Sequence, residues 1–438
     1  MTARVPFSIV DEWIVHLDQE PEPWSVHCEV RVPGRLDSDR VAAAALAATE
    51  RHPLARARMA SVRGWGRRYS WEITDRVDHL PLEIVECPDE DAVVDARDRL
   101  QSMHVSLDSS PPFALTLAHR PGGDSLIMNL HHAAADGMGS YRLMTSIARA
   151  YAGVEDPTPE VNPFAARDVR GRVGARSVKE AIVRLRHLRD RLSEARAEGP
   201  PARLAALGGV DSAQGYGFHL ERFGREETAR LMARRHKPAT VNDVLLAGLA
   251  IAIRRFNSER GAPTGRVSVM MPVNLRPEAW FDEVVANVLS FVSVSVLERE
   301  QSDLAGAQRA VEARTRALKD QRLLGTMIDV LALSATSPVG LWHFLARTVR
   351  GPIAERVADT AILSNLGRIA LPLDFGPGAG AATELWFSPP GQMPLGVAMG
   401  AATMNDEMFL ALRYSRRQYD AAGAAALAGT WRAVLLEG

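Results

Sequence analysis

Hydrophobic and polar positions alternate in blocks along this chain, and their spacing predicts an α/β protein. Strand-length stretches fall at residues 26–32, which alternate apolar and polar, and at 113–118 and 126–130, which are mainly apolar. Between them, apolar residues recur every three to four positions over 38–51 and 90–101, which lays one apolar stripe along a helix. Asp37 or Ser38 is placed to cap the first of these helices and Asp89 the second. A further strand is expected at 65–72. A helix is expected from Gly139, with Tyr141, Leu143, Met144, Ile147, Ala148 and Tyr151 on its apolar positions.

The pattern then breaks. Pro157, Pro159 and Pro163 mark an exposed connection over 155–175, followed by a basic helix at 177–196. From 167 to 203 there are eleven Lys and Arg against five Asp and Glu, a run read as a solvated face, with Ile182, Val183, Leu185, Leu188 and Leu192 turned toward the protein. Strands resume at 217–223, 267–273 and 292–297, around a helix whose run 244–253 is apolar enough to be buried. Helices are expected from Asp303 to about Arg350, strands near 385–387, 396–403 and 408–414, and a last helix at 420–436. Two similar α/β units with mixed sheets and flanking helices result: residues 1–165, a basic helical linker at 166–215, and residues 216–438.

Composition narrows the class of function. A chain of 438 residues is long enough for two cores, and 46% hydrophobic with 24% charged residues is ordinary globular usage. A net charge of −1 argues against binding nucleic acid through bulk electrostatics. Cys28 and Cys87 form no framework, which suits a reducing compartment. Asp11 and Glu12 interrupt any signal-peptide core, and the longest apolar stretch, 244–253, stops at Arg254 and is too short for a bilayer. A cytoplasmic monomer without a membrane span is the expectation.

The chemistry concentrates in one segment. His131-His132-Ala133-Ala134-Ala135-Asp136-Gly137 follows directly on the apolar run 126–130 and precedes the expected helix. Two imidazoles, a carboxylate and a glycine therefore share a tight strand-to-helix turn. A histidine titrates near pH 6.5 and can take and return a proton at neutral pH, so the segment reads as a positioned general base. Gly137 is expected to permit a backbone angle that a side chain would oppose. Two adjacent histidines also occur as satisfied core or loop residues. A metal site fares poorly, because no other His or acidic cluster in the sequence offers a third and fourth ligand. No GxSxG segment of the hydrolase type is present.

This HHxxxDG segment resembles the signature of the condensation-domain superfamily of acyltransferases, which includes chloramphenicol acetyltransferase, nonribosomal peptide synthetase condensation domains, Pap acyltransferases and wax ester synthase/diacylglycerol acyltransferases. Other segments follow in the family's order. Residues 51–59 resemble RHxxLRxxF, with Ala55 and Met59 departing from it, and 240–247 resemble TxNDVLLA. Residues 271–277 are similar to the PVNLR strand, Ala286-Asn287 to the GN pair with Ala for Gly, and Ser364-Asn365-Leu366-Gly367 to the SNLG loop.

The resemblance implies two chloramphenicol acetyltransferase-like subdomains arranged as a V, with an active-site tunnel at their junction. It implies an acyltransferase that moves an acyl group from a CoA or carrier-protein thioester to a hydroxyl or amine, in secondary-metabolite or lipid biosynthesis, with no bound cofactor. It assigns the general base to His132, leaving His131 to packing and turn structure. Asp136 is expected to be a structural carboxylate paired with Arg56, or in competition with Arg58. Oxyanion donors or tunnel-lining groups are sought among the Gly137 amide, Asn287, Ser290, Tyr141 and Asn365. A free-standing enzyme is expected, since no carrier-protein segment is seen. The alternatives are a recruitment module that has lost catalysis, or epimerisation or cyclisation on the same scaffold.

Overall fold

The computed structural model describes residues 3–61, 68–157, 161–320, 322–334 and 358–437. The chain opens with strand β1 (Ala3–Pro6) and helix α1 (Ile9–Leu17), whose N-terminus is closed by a capping box between Ser8 and Asp11. Strand β2 (Ser25–Arg31) leads into α2 (Ser38–Arg51), capped by the Asp37 side chain. Short strands β3 (Ala57–Met59) and β4 (Ser70–Ile73) form a small three-stranded sheet with β1, in which β4 is the middle strand. Then come β5 (Leu82–Glu86), α3 (Glu90–Ser102) capped by Asp89, β6 (Phe113–His119), β7 (Ser125–His131) and α4 (Gly137–Ala152).

Periodicity located these elements well, because β2 alternates Val26, Cys28 and Val30 with polar residues, while β6 and β7 are largely apolar runs. The first residues of the strand expected at 65–72 lie outside the described residues; β4 covers its end. Elements α1 and β5 went unread. The first carries acidic residues in its opening turn, and the second is an edge strand with few buried positions.

Past two short helices, α5 (Pro163–Ala166) and α6 (Val169–Val173), runs the basic helix α7 (Val178–Ala197). Its orientation departs from the expected one. Ile182 and Leu185 are exposed, while Arg184 is buried and donates to the carbonyls of Val173 and Arg322 and to Asp329. A guanidinium with several acceptors fixes the helix's inner face, and Val183 and Leu188 are only partly covered. The Leu192 side chain lies outside the described residues.

The second half contributes β8 (Tyr216–Phe223), α8 (Arg225–Ala233), α9 (Val241–Glu259), β9 (Val267–Asn274), β10 (Leu289–Val296), α10 (Leu304–Asp320) and α11 (Thr326–Ser334). Of the helices expected up to residue 350, the part beyond 334 lies outside the described residues. The chain closes with β11 (Ala361–Arg368), β12 (Glu384–Ser388), β13 (Val397–Met404), β14 (Glu407–Ser415) and α12 (Ala421–Leu436), capped by Asp420. Residues 364–367, expected as a loop, are part of β11: the apolar run Ala361–Leu363 continues into a parallel ladder with β13, with a register shift between Asn365 and Arg368.

Two large mixed sheets organise the molecule. The six-stranded one runs β10-β9-β11-β13-β14-β8, and α9, α10 and α12 pack beside it. The five-stranded one runs β12-β2-β7-β6-β5. Its outer strand, β12, comes from the second half of the sequence and pairs antiparallel with β2, Phe387 opposite Cys28. No local pattern reveals that destination, since strand periodicity says nothing about partner. β12 also packs on β13 and β14, so it binds both sheets. Phe387, 2% exposed, lies over the turn after β7, so Phe387→Ala should cost about 3–5 kcal/mol and lower the denaturation midpoint. Chemical denaturation followed by circular dichroism checks this.

Candidate active site

Strand β7 ends at His131, and α4 begins at Gly137, so the histidine segment is a five-residue turn between two buried elements. Asp136 is the N-cap of α4. Its two carboxylate oxygens take four donors: the Gly139 amide at 2.9 Å, the Val288 amide at 2.9 Å, and both terminal nitrogens of Arg276 at 2.8 and 2.9 Å. Arg276 is itself buried and also donates to the carbonyls of Val284 and Ala286. A bidentate, charge-assisted pair of this kind fixes orientation as well as distance.

The structure therefore corrects the expected partner of Asp136. Arg56 donates to the backbone carbonyls of Thr74, Thr49 and Glu50, and Arg58 reaches Glu72 and Asp78. Both belong to the stretch between α2 and β4 and are satisfied there. Arg276, in the segment 271–277, comes from the second half, where β9 runs out toward the turn. The signal was present, an arginine in a segment already singled out, but pairing across 140 residues has no local signature.

Gly137 also has a different reason from the one expected. Its φ is not positive; it is the first residue of α4. A Cβ there would come within 2.5 Å of the Phe387 ring and 2.9 Å of Leu366, so close approach of β12 and β11 requires glycine.

The two histidines face different surroundings. His131 is buried; its Nε2 lies 3.3 Å from Asp18 Oδ2, and its Nδ1 accepts the Ala133 amide at 3.1 Å. His132 is partly exposed, and its amide donates to the Trp24 carbonyl at 3.1 Å. The His132 Nδ1 is buried, which leaves Nε2 as the nitrogen open to a substrate. Burial pushes the His132 pKa below the ordinary 6.5, against the opposing pull of the His132 and Ala135 carbonyls and of Asp136. The ring is consequently neutral at pH 7 and able to accept a proton.

The side chains proposed as oxyanion donors are occupied. Asn287 Nδ2 donates to the carbonyls of His132 at 2.7 Å and Ala133 at 2.9 Å and to Asp11 at 3.2 Å, so it clamps the turn from the second half. Ser290 donates to the Leu324 carbonyl. The Tyr141 hydroxyl is held by the carbonyl and amide of Leu371 at 2.6 and 2.9 Å. Asn365 donates to Asn242 at 2.7 Å and accepts the Gly367 amide at 2.8 Å. Among the described residues the Gly137 amide has no partner, so of the named candidates it is the donor left free.

Folding adds two groups that the sequence did not associate with the turn. Asp18 and His104 stand beside His131, with ligand atoms of all three within 4.8 Å of one another. Ligand counting along the sequence missed this gathering. It does not suit a cation: the Ala133 amide fixes a lone pair on His131 Nδ1, so the neutral ring carries its proton on Nε2, where a metal would need a lone pair.

A cavity of about 870 Å³ has Trp13, Trp24, Met270, Gln392 and Gln418 in its walls. Trp24 joins it to His132 through the bond between their main chains. Trp24 Nε1, Gln392 Oε1 and Gln418 Oε1 are buried and unpartnered.

The fold is that of condensation domains and of an O-acetyltransferase. It superimposes on trichothecene 15-O-acetyltransferase TRI3 from Fusarium sporotrichioides with a TM-score of 0.70 at 10% identity, covering 99% of this chain and 95% of that one. It likewise matches the starter condensation domain of rhizomide synthetase RzmA in complex with C8-CoA and Leu-SNAC, with a TM-score of 0.67 at 14% identity over 99% and 94% of the two chains. No family model matches the sequence. An uncharacterized protein of Mycobacterium tuberculosis strain H37Rv, Rv2305, is 37% identical over 404 residues, 91% of this chain and 92% of that protein. The chain belongs to one family with Rv2305, and it shares the fold of the condensation domains and of the TRI3 acetyltransferase.

Because Asp136 and Arg276 are each buried with the other as counter-charge, removing either strands an ion. Asp136→Ala and Arg276→Ala should each lower stability by about 3–5 kcal/mol, and the double variant by less than the sum. Thermal unfolding of the three proteins measures this; additive losses would mean the pair is not coupled.

Proposed function

We propose that this protein is an acyltransferase that moves an acyl group from a CoA or carrier-protein thioester to a hydroxyl or amine, in secondary-metabolite or lipid biosynthesis. The observation that carries the reading is a neutral His132 with Nε2 open, on a turn whose backbone is held from both halves of the chain. His132 Nε2 takes the proton of the acceptor O–H or N–H as the oxygen or nitrogen attacks the thioester carbonyl carbon. The carbonyl oxygen becomes an oxyanion, for which the free Gly137 amide at the start of α4 is the proposed donor. Collapse of the tetrahedral adduct breaks the C–S bond, and the imidazolium returns its proton to the departing thiolate. The products are an ester or amide and a free thiol.

In this reading His131 and Asp136 are structural, Gly137 is both a packing residue and the amide donor, and Arg276 takes the part first given to Arg56. The cavity lined by Trp13, Trp24 and Met270 is proposed to receive part of a substrate. The proposed organisation is an acyltransferase-like unit at 1–165 completed by β12, a helical linker at 166–215, and a second unit at 216–438, acting as a cytoplasmic monomer.

His132→Ala should keep the fold and lose most turnover, since a positioned base contributes roughly a hundred- to ten-thousand-fold. Turnover is read as thiol release from a panel of acyl-CoA and acyl-carrier-protein donors with alcohols and amines. Because the pKa of His132 is lowered, kcat/KM should be flat through neutrality and fall only on the acid side, with its inflection below pH 6.5. A His132→Ala protein with near wild-type turnover would remove the general base.

A further inference from the structure

Asp18 lies more than a hundred residues before the histidine segment, at the C-terminal end of α1. Its Oδ1 accepts the Trp24 amide at 2.8 Å, and the Trp24 carbonyl in turn accepts the His132 amide at 3.1 Å. Its Oδ2 is shared by two imidazoles, His104 Nε2 at 2.6 Å and His131 Nε2 at 3.3 Å. On the far side of His131, Nδ1 accepts the Ala133 amide at 3.1 Å. The amides of two successive turn residues, 132 and 133, therefore lead back to a single carboxylate, one through the Trp24 peptide and the other through the His131 ring.

The proton positions in this network are constrained. The Ala133 N–H needs a lone pair on His131 Nδ1, so a neutral His131 must carry its proton on Nε2. That N–H requires an acceptor, because His131 is buried, and Asp18 is the acceptor. Burial alone would raise the Asp18 pKa, yet its bonds to His104 and His131 hold the carboxyl well below the usual carboxylate range, so it is an anion at any working pH. The Asp18 hydrogen bond raises the His104 pKa; this half-buried ring is the second donor that keeps Oδ2 between the two imidazoles. Glu20 and Asp108 are the other charges near His104.

We propose that Asp18 is a positioning residue: it holds His131 in the Nε2–H tautomer and, through that ring and the Trp24 peptide, sets the angle at which His132 meets the substrate. The inference rests on the general-base reading of His132, but its first readout does not require activity.

Asp18→Asn isolates the effect. The asparagine oxygen can still accept from Trp24, keeping the end of α1, while its NH₂ would face two N–H donors at the imidazoles. His131 must then shift its proton to Nδ1, against the Ala133 amide, or rotate away. Protein labelled with ¹⁵N in the histidine rings, with His131 assigned by comparison with His131→Gln, should show the Nε2–H tautomer in the wild type and its loss in Asp18→Asn. The same substitution should lower kcat by roughly ten- to a hundredfold with KM for both substrates little changed, as expected when a reacting group is misaligned while substrate binding is untouched. His104→Gln, which can still donate to Asp18, should keep both the tautomer and kcat. A wild-type His131 protonated on Nδ1 overturns the proposal without any variant. So does an Asp18→Asn protein with wild-type kcat, whatever its tautomer. If instead His132→Ala stays active while the tautomer behaves as expected, the general-base reading fails and the Asp18–His131 bond stands as structural.

Discussion

The site depends on one buried ion pair. Asp136 closes the first turn of α4, accepts the Val288 amide and grips both ends of the Arg276 guanidinium, so a helix start and the opposite half of the chain meet at two oxygens. Burying two charges is costly unless they are paired and hydrogen-bonded, and here four donors meet Asp136 while the carbonyls of Val284 and Ala286 accept from Arg276. The arrangement tolerates little displacement, since a shift of either half would leave a charge in a dry interior. Asn287 works in the same direction, reaching from the second half to the carbonyls of His132 and Ala133. A base on such a turn is held by its backbone and needs no partner on its own ring nitrogen.

Two separate shells thus meet at His132. The Asp136 side fixes the turn against the second half of the chain, while the Asp18 side fixes it against the end of α1 and the β2 entrance. The shells differ electrostatically. One is a bidentate ion pair; the other contains two imidazoles around a carboxylate and depends on where a proton sits. His132 lies between them with a depressed pKa, and burial rather than a neighbouring charge is the main cause. Neutrality of the base is therefore a packing property of the turn.

Much of the fold was legible because its elements are strongly patterned. Helix α2 is legible to the residue and β2, β6 and β7 to within a residue or two, β2 from its strict alternation and β6 and β7 from their apolar runs. The HHAAADG segment and the resemblance of its surroundings located the turn. What could not be read were relations between distant residues. The sequence points to Arg56 or Arg58 and not to Arg276, does not associate Asp18 and His104 with His131, and leaves 384–388 with its neighbours in the chain. Polar side chains such as Asn287 and Tyr141 looked available because hydrogen-bond capacity is visible in a sequence and its consumption is not. Gly137 was judged by backbone freedom when the deciding term was an aromatic ring from β12.

The exchange of β12 has a consequence for synthesis. Strand β7 is complete at residue 131, but the partner that covers the open side of β2 is not made until residue 388, roughly 250 residues later. At about 5–20 residues per second the ribosome needs on the order of ten seconds or more to supply it. For that interval β2, whose seven residues are all buried in the finished protein, presents an unpaired edge to the cell. The nascent chain is most open to strand pairing with other chains in this window, and the last fifth of the sequence ends it.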